Sequence, residues 1–323
     1  MRELAFLHQR AEQWKTFESA LEGKSEYDSD QLADLFTQVL EDLSYAQTFY
    51  PGSNTTSYLQ GLAAKAHQEI YKNKPESKSR LRAFWLDELP GIMYTVRKEL
   101  LVSLVIFVVA ISIGTISASQ DTGFVRLILG DAYVNKTLEN IQNNDPMGIY
   151  KSMQPVDMFL AITFNNVRVS FIAFAAGMLF SVGTGYVLFS NGVMLGAFQY
   201  MFYERGLLGE ALLVVYIHGT LEICAIIIAG CAGIVMGNGL LFPGTYPRIT
   251  SFIEAARKGA KIVIGLVPVF IVAGFLEGFV TRQTDMPIYL SLFIIISSLV
   301  FILWYFILYP IQRYKATSKP NAA

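Results

Sequence analysis

His218-Gly219-Thr220-Leu221-Glu222, followed directly by the apolar run Ile223 to Met236, is the stretch on which the reading of the whole chain turns. A run of this kind reads as a helix inside a membrane, where an ionisable side chain is costly and marks a functional position. His218 and Glu222 stand four residues apart, so on a helix they share one face and can bond each other or converge on a third group. The same stripe continues through Ala225, Ala229 and Ala232, small residues that let a second helix approach closely. Cys224 and Cys231 lie in the same run and read as small packing residues, with no disulfide framework or zinc knuckle available.

Working outward, the chain has 323 residues, 53% of them hydrophobic and 16% charged, which is too apolar for a protein that lives in water. The expected fold is all-α: a polytopic membrane protein of about six spans, one short or broken, behind an N-terminal soluble helical domain. Acidic and basic residues nearly balance at a net charge of -1, so no nucleic-acid partner is implied. Met1-Arg2-Glu3-Leu4 lacks the apolar core and small-residue cleavage site of a secretory signal, and the first span is expected to direct insertion.

Residues 1–83 carry apolar positions at helical spacing. Leu32, Leu35, Phe36, Val39, Leu40 and Leu43 mark one amphipathic helix, with Asp28, Ser29 and Asp30 at its start; Pro51-Gly52-Ser53-Asn54 is a turn; Tyr58, Leu59, Leu62, Ala63, Ala66 and Ile70 mark a second helix. Phe6 to Leu21 supplies a third helix to close a small core. Residues 84–98, with Phe84-Trp85-Leu86 among charges and Pro90 behind them, suit a helix in the membrane interface. Six spans are expected at about 100–119, 165–190, 193–204, 208–237, 262–281 and 287–309, with 311–323 as a tail. Asn191-Gly192 is expected to end the second span, because both residues tolerate the left-handed conformation that stops a helix.

The short third segment, Val193 to Tyr203, either crosses or re-enters. If it crosses, Arg97, Lys98, Arg248, Arg257, Lys258, Lys261, Arg313, Lys315 and Lys319 all fall on the cytoplasmic side; a five-span chain would put seven of those nine outside. Six spans with both termini in the cytoplasm of a prokaryotic cell are therefore expected. That topology gathers His218, Glu222, Glu277, Asn165 and Asn166 in the outer half of the bilayer, with Arg168 and Arg282 as candidates to balance their charge. Gly230, Gly233, Gly274 and Gly278 are the expected helix-packing glycines. A metal site could use His218, Glu222 and Glu277, which makes an intramembrane metalloenzyme a third and weaker reading, and no metal, cofactor or catalytic residue is assigned. The other two histidines, His8 and His67, sit in the N-terminal part, and neither a Gly-x-Ser-x-Gly elbow nor a phosphate-cradling glycine loop occurs.

Phe164-Asn165-Asn166, Asn191-Gly192 with Leu195-Gly196, His218-Gly219-x-x-Glu222 with Ala225 and Ile228-Ala229-Gly230, Pro243-Gly244 with Arg248, then Gly265 and Glu277-x-Phe279 follow one another in an order that resembles the stage II sporulation protein M family, over roughly Arg97 to Arg282. The N-terminal part looks like that of longer members in organisms that make no spores, often encoded beside MoxR-type AAA+ ATPases and von Willebrand-type proteins. The family's namesake acts with partners that remodel cell wall during engulfment. The resemblance implies a multi-pass, non-enzymatic component of an envelope assembly; the N-terminal part and the last span set this chain apart from the short members. Two functions follow as expectations. One is a component that docks partners, among them a MoxR-type ATPase and other envelope proteins, through residues 1–83, with a homo-oligomer as a separate expectation. The other is a transporter or channel for an ion, proton or small solute that uses the buried polar cluster.

Overall fold

The computed structural model of the chain describes residues 3–21, 29–71, 77–151, 153–283 and 286–315. Asp28 and the tail from Ala316 lie outside these. Helices account for 89% of the structure and no strand occurs among the described residues, so the protein is all-α. It divides into two compact units, Met1–Lys78 and Ser79–Ala323.

The first unit consists of α1 (Glu3–Leu21), α2 (Ser29–Phe49) and α3 (Asn54–Tyr71). The apolar positions of the three helices meet in one core of Phe6, Trp14, Phe17, Val39, Ala46, Leu59, Leu62 and Ala66. One polar link crosses it: Trp14 Nε1 donates to Asp42 Oδ2 at 2.8 Å, with Arg10 Nε 3.4 Å from the other oxygen. An indole buried beside a carboxylate needs that bond, since an unpaired N–H would cost more than the bond itself contributes.

The second unit opens with α4 (Ser77–Ala83), a wide π turn Phe84–Glu88 and α5 (Leu89–Thr95). Here α5 turns Leu89 and Met93 into the core of the bundle, and the flanking aromatics are latched to the last helix. Tyr305 and Tyr309 hydroxyls donate to the carbonyls of Trp85 and Leu86 at 2.7 and 3.0 Å.

The bundle itself contains α6 (Arg97–Gln120), α9 (Pro155–Ala175, continued by a 3₁₀ turn to Met178), α10 (Val182–Tyr203), α11 (Leu208–Leu241), α12 (Arg248–Phe275, continued by a π turn Leu276–Thr281) and α13 (Ile288–Leu303), the last extended through a π turn into α14 (Tyr309–Lys315). Between α6 and α9 lie the short α7 (Thr122–Leu129) and α8 (Asp131–Gln142). Five of these helices are long and apolar enough to cross a membrane; α10 falls outside that set but is 22 residues long, about 33 Å at 1.5 Å per residue, enough for a core of about 30 Å.

Two expectations about this region are corrected. The second and third segments are not 165–190 and a short 193–204; the chain reverses between them at Phe180 and Ser181, both with positive φ (51° and 64°), and Asn191 and Gly192 lie inside α10. The cause is tertiary. Gly192 lies against α6, since a Cβ there would lie 2.6 Å from Ala110 Cβ and 2.8 Å from the Phe107 carbonyl. Gly196 meets Ile111 one turn on, so α10 runs parallel to α6 along its length. The real break is set by α11, whose Ile234 carbonyl accepts from Ser181 Oγ at 3.3 Å and whose Gly237 leaves room for the Ser181 backbone.

In lipid, burying an apolar side chain gains little over leaving it against acyl chains, so close backbone packing has to hold the helices. The small faces show it. Gly230 admits Leu188 and Ser103, Gly233 admits Thr184 and the Ala173 carbonyl, and Gly274 and Gly278 bring α12 onto Thr163, Phe159 and the Pro155 carbonyl of α9. Ala225, Ala229 and Ala232, the continuation of the His218-Glu222 stripe, are fully buried. Two of the polar groups at these contacts are paired within the bundle, Ser103 Oγ donating to the Ile227 carbonyl at 2.6 Å and Thr184 Oγ1 to that of Ala173 at 2.7 Å, whereas Thr163 Oγ1 is buried without a partner.

Candidate functional site

Three helices place the site. Helix α11 carries His218 and Glu222 on one face, the π turn that ends α12 carries Glu277 and Thr281, and α9 brings Asn166. His218 stands ten residues into α11, about 15 Å along its axis, so the cluster lies well inside the bundle. One ligand atom each from His218, Glu222 and Glu277 lie within 4.8 Å of one another.

His218 is almost fully buried. Its Nδ1 lies 3.0 Å from Thr281 Oγ1, its Nε2 lies 3.5 Å from Glu277 Oε2, and its ring meets the Tyr150 ring edge-on with centroids 5.6 Å apart. Asn166 Nδ2 donates to Glu222 Oε1. Thr281 and Asn166 are buried with it, and Glu277 is 9% exposed. Tyr150 belongs to the connection before α9, and burial pushes its phenol well above the ordinary value, so it stays neutral beside the imidazole.

Of the residues singled out from sequence, the structure joins His218, Glu222, Glu277 and Asn166 and leaves three aside. Asn165 is exposed on the opposite face of α9, because adjacent residues of a helix point about 100° apart. Arg168 is exposed as well, and Arg282 turns away to donate from Nη1 to the Met153 carbonyl at 2.6 Å. Neither base balances the carboxylates. Among the described residues, Glu277 has no ion-pair partner except His218, and Glu222 has none. The asparagines also do not stand at the mouth of a span, as the boundary at 165 implied; they lie in the middle of α9.

Thr281 and Tyr150 are the residues that sequence reasoning missed. Thr281 stands four residues after Glu277, the same interval that links His218 to Glu222, and that repeated spacing was the available signal. Tyr150 had none, since it arrives from a connection whose path no periodicity describes. Near the site, a hollow of about 390 Å³ opens between Asn144, Asp145, Glu210, Ile217, Gln283 and Ser291. Ile217 is the neighbour of His218, so this polar recess reaches the residue beside the cluster.

Comparison with known proteins adds the following. Residues 4–72 match a family described as a domain of unknown function, DUF8413. No curated protein and no solved structure matches the chain. The model of the family described as stage II sporulation protein M matches residues 103–282, which hold all six side chains of the cluster and more than half of the sequence; the chain is a membrane protein that belongs to that family.

Proposed function

We propose that this protein binds a cation or proton inside the membrane and passes it along a route that includes His218, Glu222 and Glu277. The observation that carries the reading is geometric: two carboxyl groups face an imidazole within 4.8 Å, no Lys or Arg among the described residues pairs with them, and the nearest arginines in sequence turn elsewhere. Desolvating two carboxylates without a counter-charge is severely unfavourable, and a cation or proton removes that cost. The recess beside the site supports the same reading as a polar approach: Glu210 lines it, while Asp145 is paired with Lys151 at 3.0 Å. In reconstituted vesicles, the protein is expected to dissipate an imposed cation or proton gradient, and Glu222→Gln to cut the flux at least about ten-fold, the equivalent of about 1.4 kcal/mol of lost binding. A wild-type protein that moves none of the ions offered, from protons to divalent metals, ends the reading.

The topology proposed is six spans with both termini cytoplasmic, supported by α10 running the length of α6 and by the basic residues listed above. A reporter inserted at Arg205, between α10 and α11, should then respond only outside the cell. A cytoplasmic response would reverse the site's sidedness.

A second role is supported by the separate core of the first unit, which no part of the cluster uses. We propose that this unit docks an envelope partner, in line with the MoxR-type ATPases encoded beside longer members, so that ion handling and assembly reside in one non-enzymatic component.

A further inference from the structure

We propose that His218, Glu222 and Glu277 form a binding site for one first-row divalent transition metal, of the Zn2+ or Mn2+ class. The inference rests on the cation reading above and names its ion. Four observations carry it. First, the 3.5 Å between His218 Nε2 and Glu277 Oε2 is too long for a charge-assisted hydrogen bond, which settles at about 2.7–2.9 Å. It suits two ligands of one ion, because ligands about 2.1 Å from a tetrahedral metal stand about 3.4 Å apart.

Second, two of the three ligands, His218 and Glu222, are oriented from behind. Thr281 Oγ1 lies at Nδ1, and in the tautomer whose Nδ1–H donates to it the Nε2 lone pair faces Glu277; Asn166 donates to one oxygen of Glu222 and leaves the other to coordinate. Third, Glu277 and Thr281 both come from a π turn, Leu276–Thr281, that follows 28 residues of regular α-helix. Such widened turns re-aim side chains and recur at functional sites. Fourth, the charge balances: a divalent ion neutralises two carboxylates that no basic side chain among the described residues pairs with, His218 aside. One imidazole with two carboxylates favours a metal that accepts nitrogen, which disfavours Mg2+ and Ca2+. Three protein ligands leave a position open for exchange or for water.

The test uses the full chain in detergent or nanodiscs, stripped with a chelator and titrated with Zn2+ or Mn2+ against excess Mg2+. The expected result is one metal per chain by elemental analysis, undisturbed by Mg2+. His218→Ala and Glu277→Gln should weaken binding at least about 100-fold, and Thr281→Val, which removes the hydroxyl at Nδ1, by about 10–100-fold. Replacing His8 and His67 together should leave the stoichiometry at one, since both stand in the first unit. Absence of stoichiometric metal in the wild type, or unchanged affinity in Thr281→Val and His218→Ala, overturns the proposal. Should His218→Ala not fold, Thr281→Val and Asn166→Ala decide it alone. Protons crossing vesicles without metal binding would sink the metal and keep the transport reading; metal bound without any flux would do the reverse.

Discussion

Gly177→Ala is expected to destabilise the membrane bundle by about 3 kcal/mol, at the upper end of what overpacking costs. A Cβ at this position would come 2.1 Å from the Gly233 carbonyl oxygen and within 3 Å of two more backbone atoms of that residue. No rotamer change relieves a clash with backbone, so α9 and α11 have to separate. They cannot part cheaply, because van der Waals contact between small faces is what holds helices together in lipid. The separation also moves Asn166 away from Glu222, which one helix pair carries between them. Unfolding of the solubilised protein in denaturing detergent should show the loss, together with lowered ion flux. Gly185 is the control: nothing lies within 4 Å of its Cβ position, and Gly185→Ala should change stability by no more than about 1 kcal/mol, in the favourable direction for a helix interior. Equal effects at both positions would mean that the contact of Gly177 with Gly233 is not a packing constraint.

Trp14→Ala should unfold the first unit and leave the bundle intact. Trp14 is 3% exposed, packs edge-on against Phe6 at 5.5 Å and bonds Asp42, which is itself buried. Removing a core aromatic costs about 3–5 kcal/mol, and here the substitution also strips a buried carboxylate of a donor. A three-helix unit of 78 residues commands only about 4–12 kcal/mol in all, so the loss is a large share of it. Limited proteolysis of the full chain should become rapid before Ser79 and stay slow after it. Under the docking and cation roles proposed above, copurification of a co-expressed ATPase should disappear with it, while metal binding and flux should persist. Trp14→Phe keeps most of the volume and loses only the N–H, so about 1–3 kcal/mol is expected there. Loss of flux in Trp14→Ala would tie the two units together more closely than their separate cores suggest.

Much of the site was legible before any coordinates, and for a physical reason. His218, Glu222 and Glu277 announce themselves because ionisable groups in apolar runs are costly enough to be rare. Their common level in the bundle follows from alternating helix direction alone. Asn166 was legible only together with Asn165, since a pair of adjacent residues does not reveal which of them faces inward. The expected balance by Arg168 and Arg282 failed because proximity in sequence says nothing about where a long side chain turns. That failure matters most for function: it leaves the two carboxyl groups with His218 alone as a basic neighbour among the described residues, the geometry from which the proposed cation site is argued.

Sequence by itself determined the all-α membrane class, the family, and His218, Glu222 and Glu277 as ionisable groups set in apolar runs, because hydrophobic run length and the cost of charge in such a run are local properties. Only the tertiary structure decided where α9 gives way to α10. A strained turn at Phe180-Ser181 is held by the glycine face of α11, while Asn191-Gly192, the stronger stop signal in sequence, is drawn into helix by the approach of α6. The same holds for the partners of His218. Thr281 and Tyr150 reach it from a π turn and a connection, and contacts between distant segments are fixed by packing rather than by periodicity.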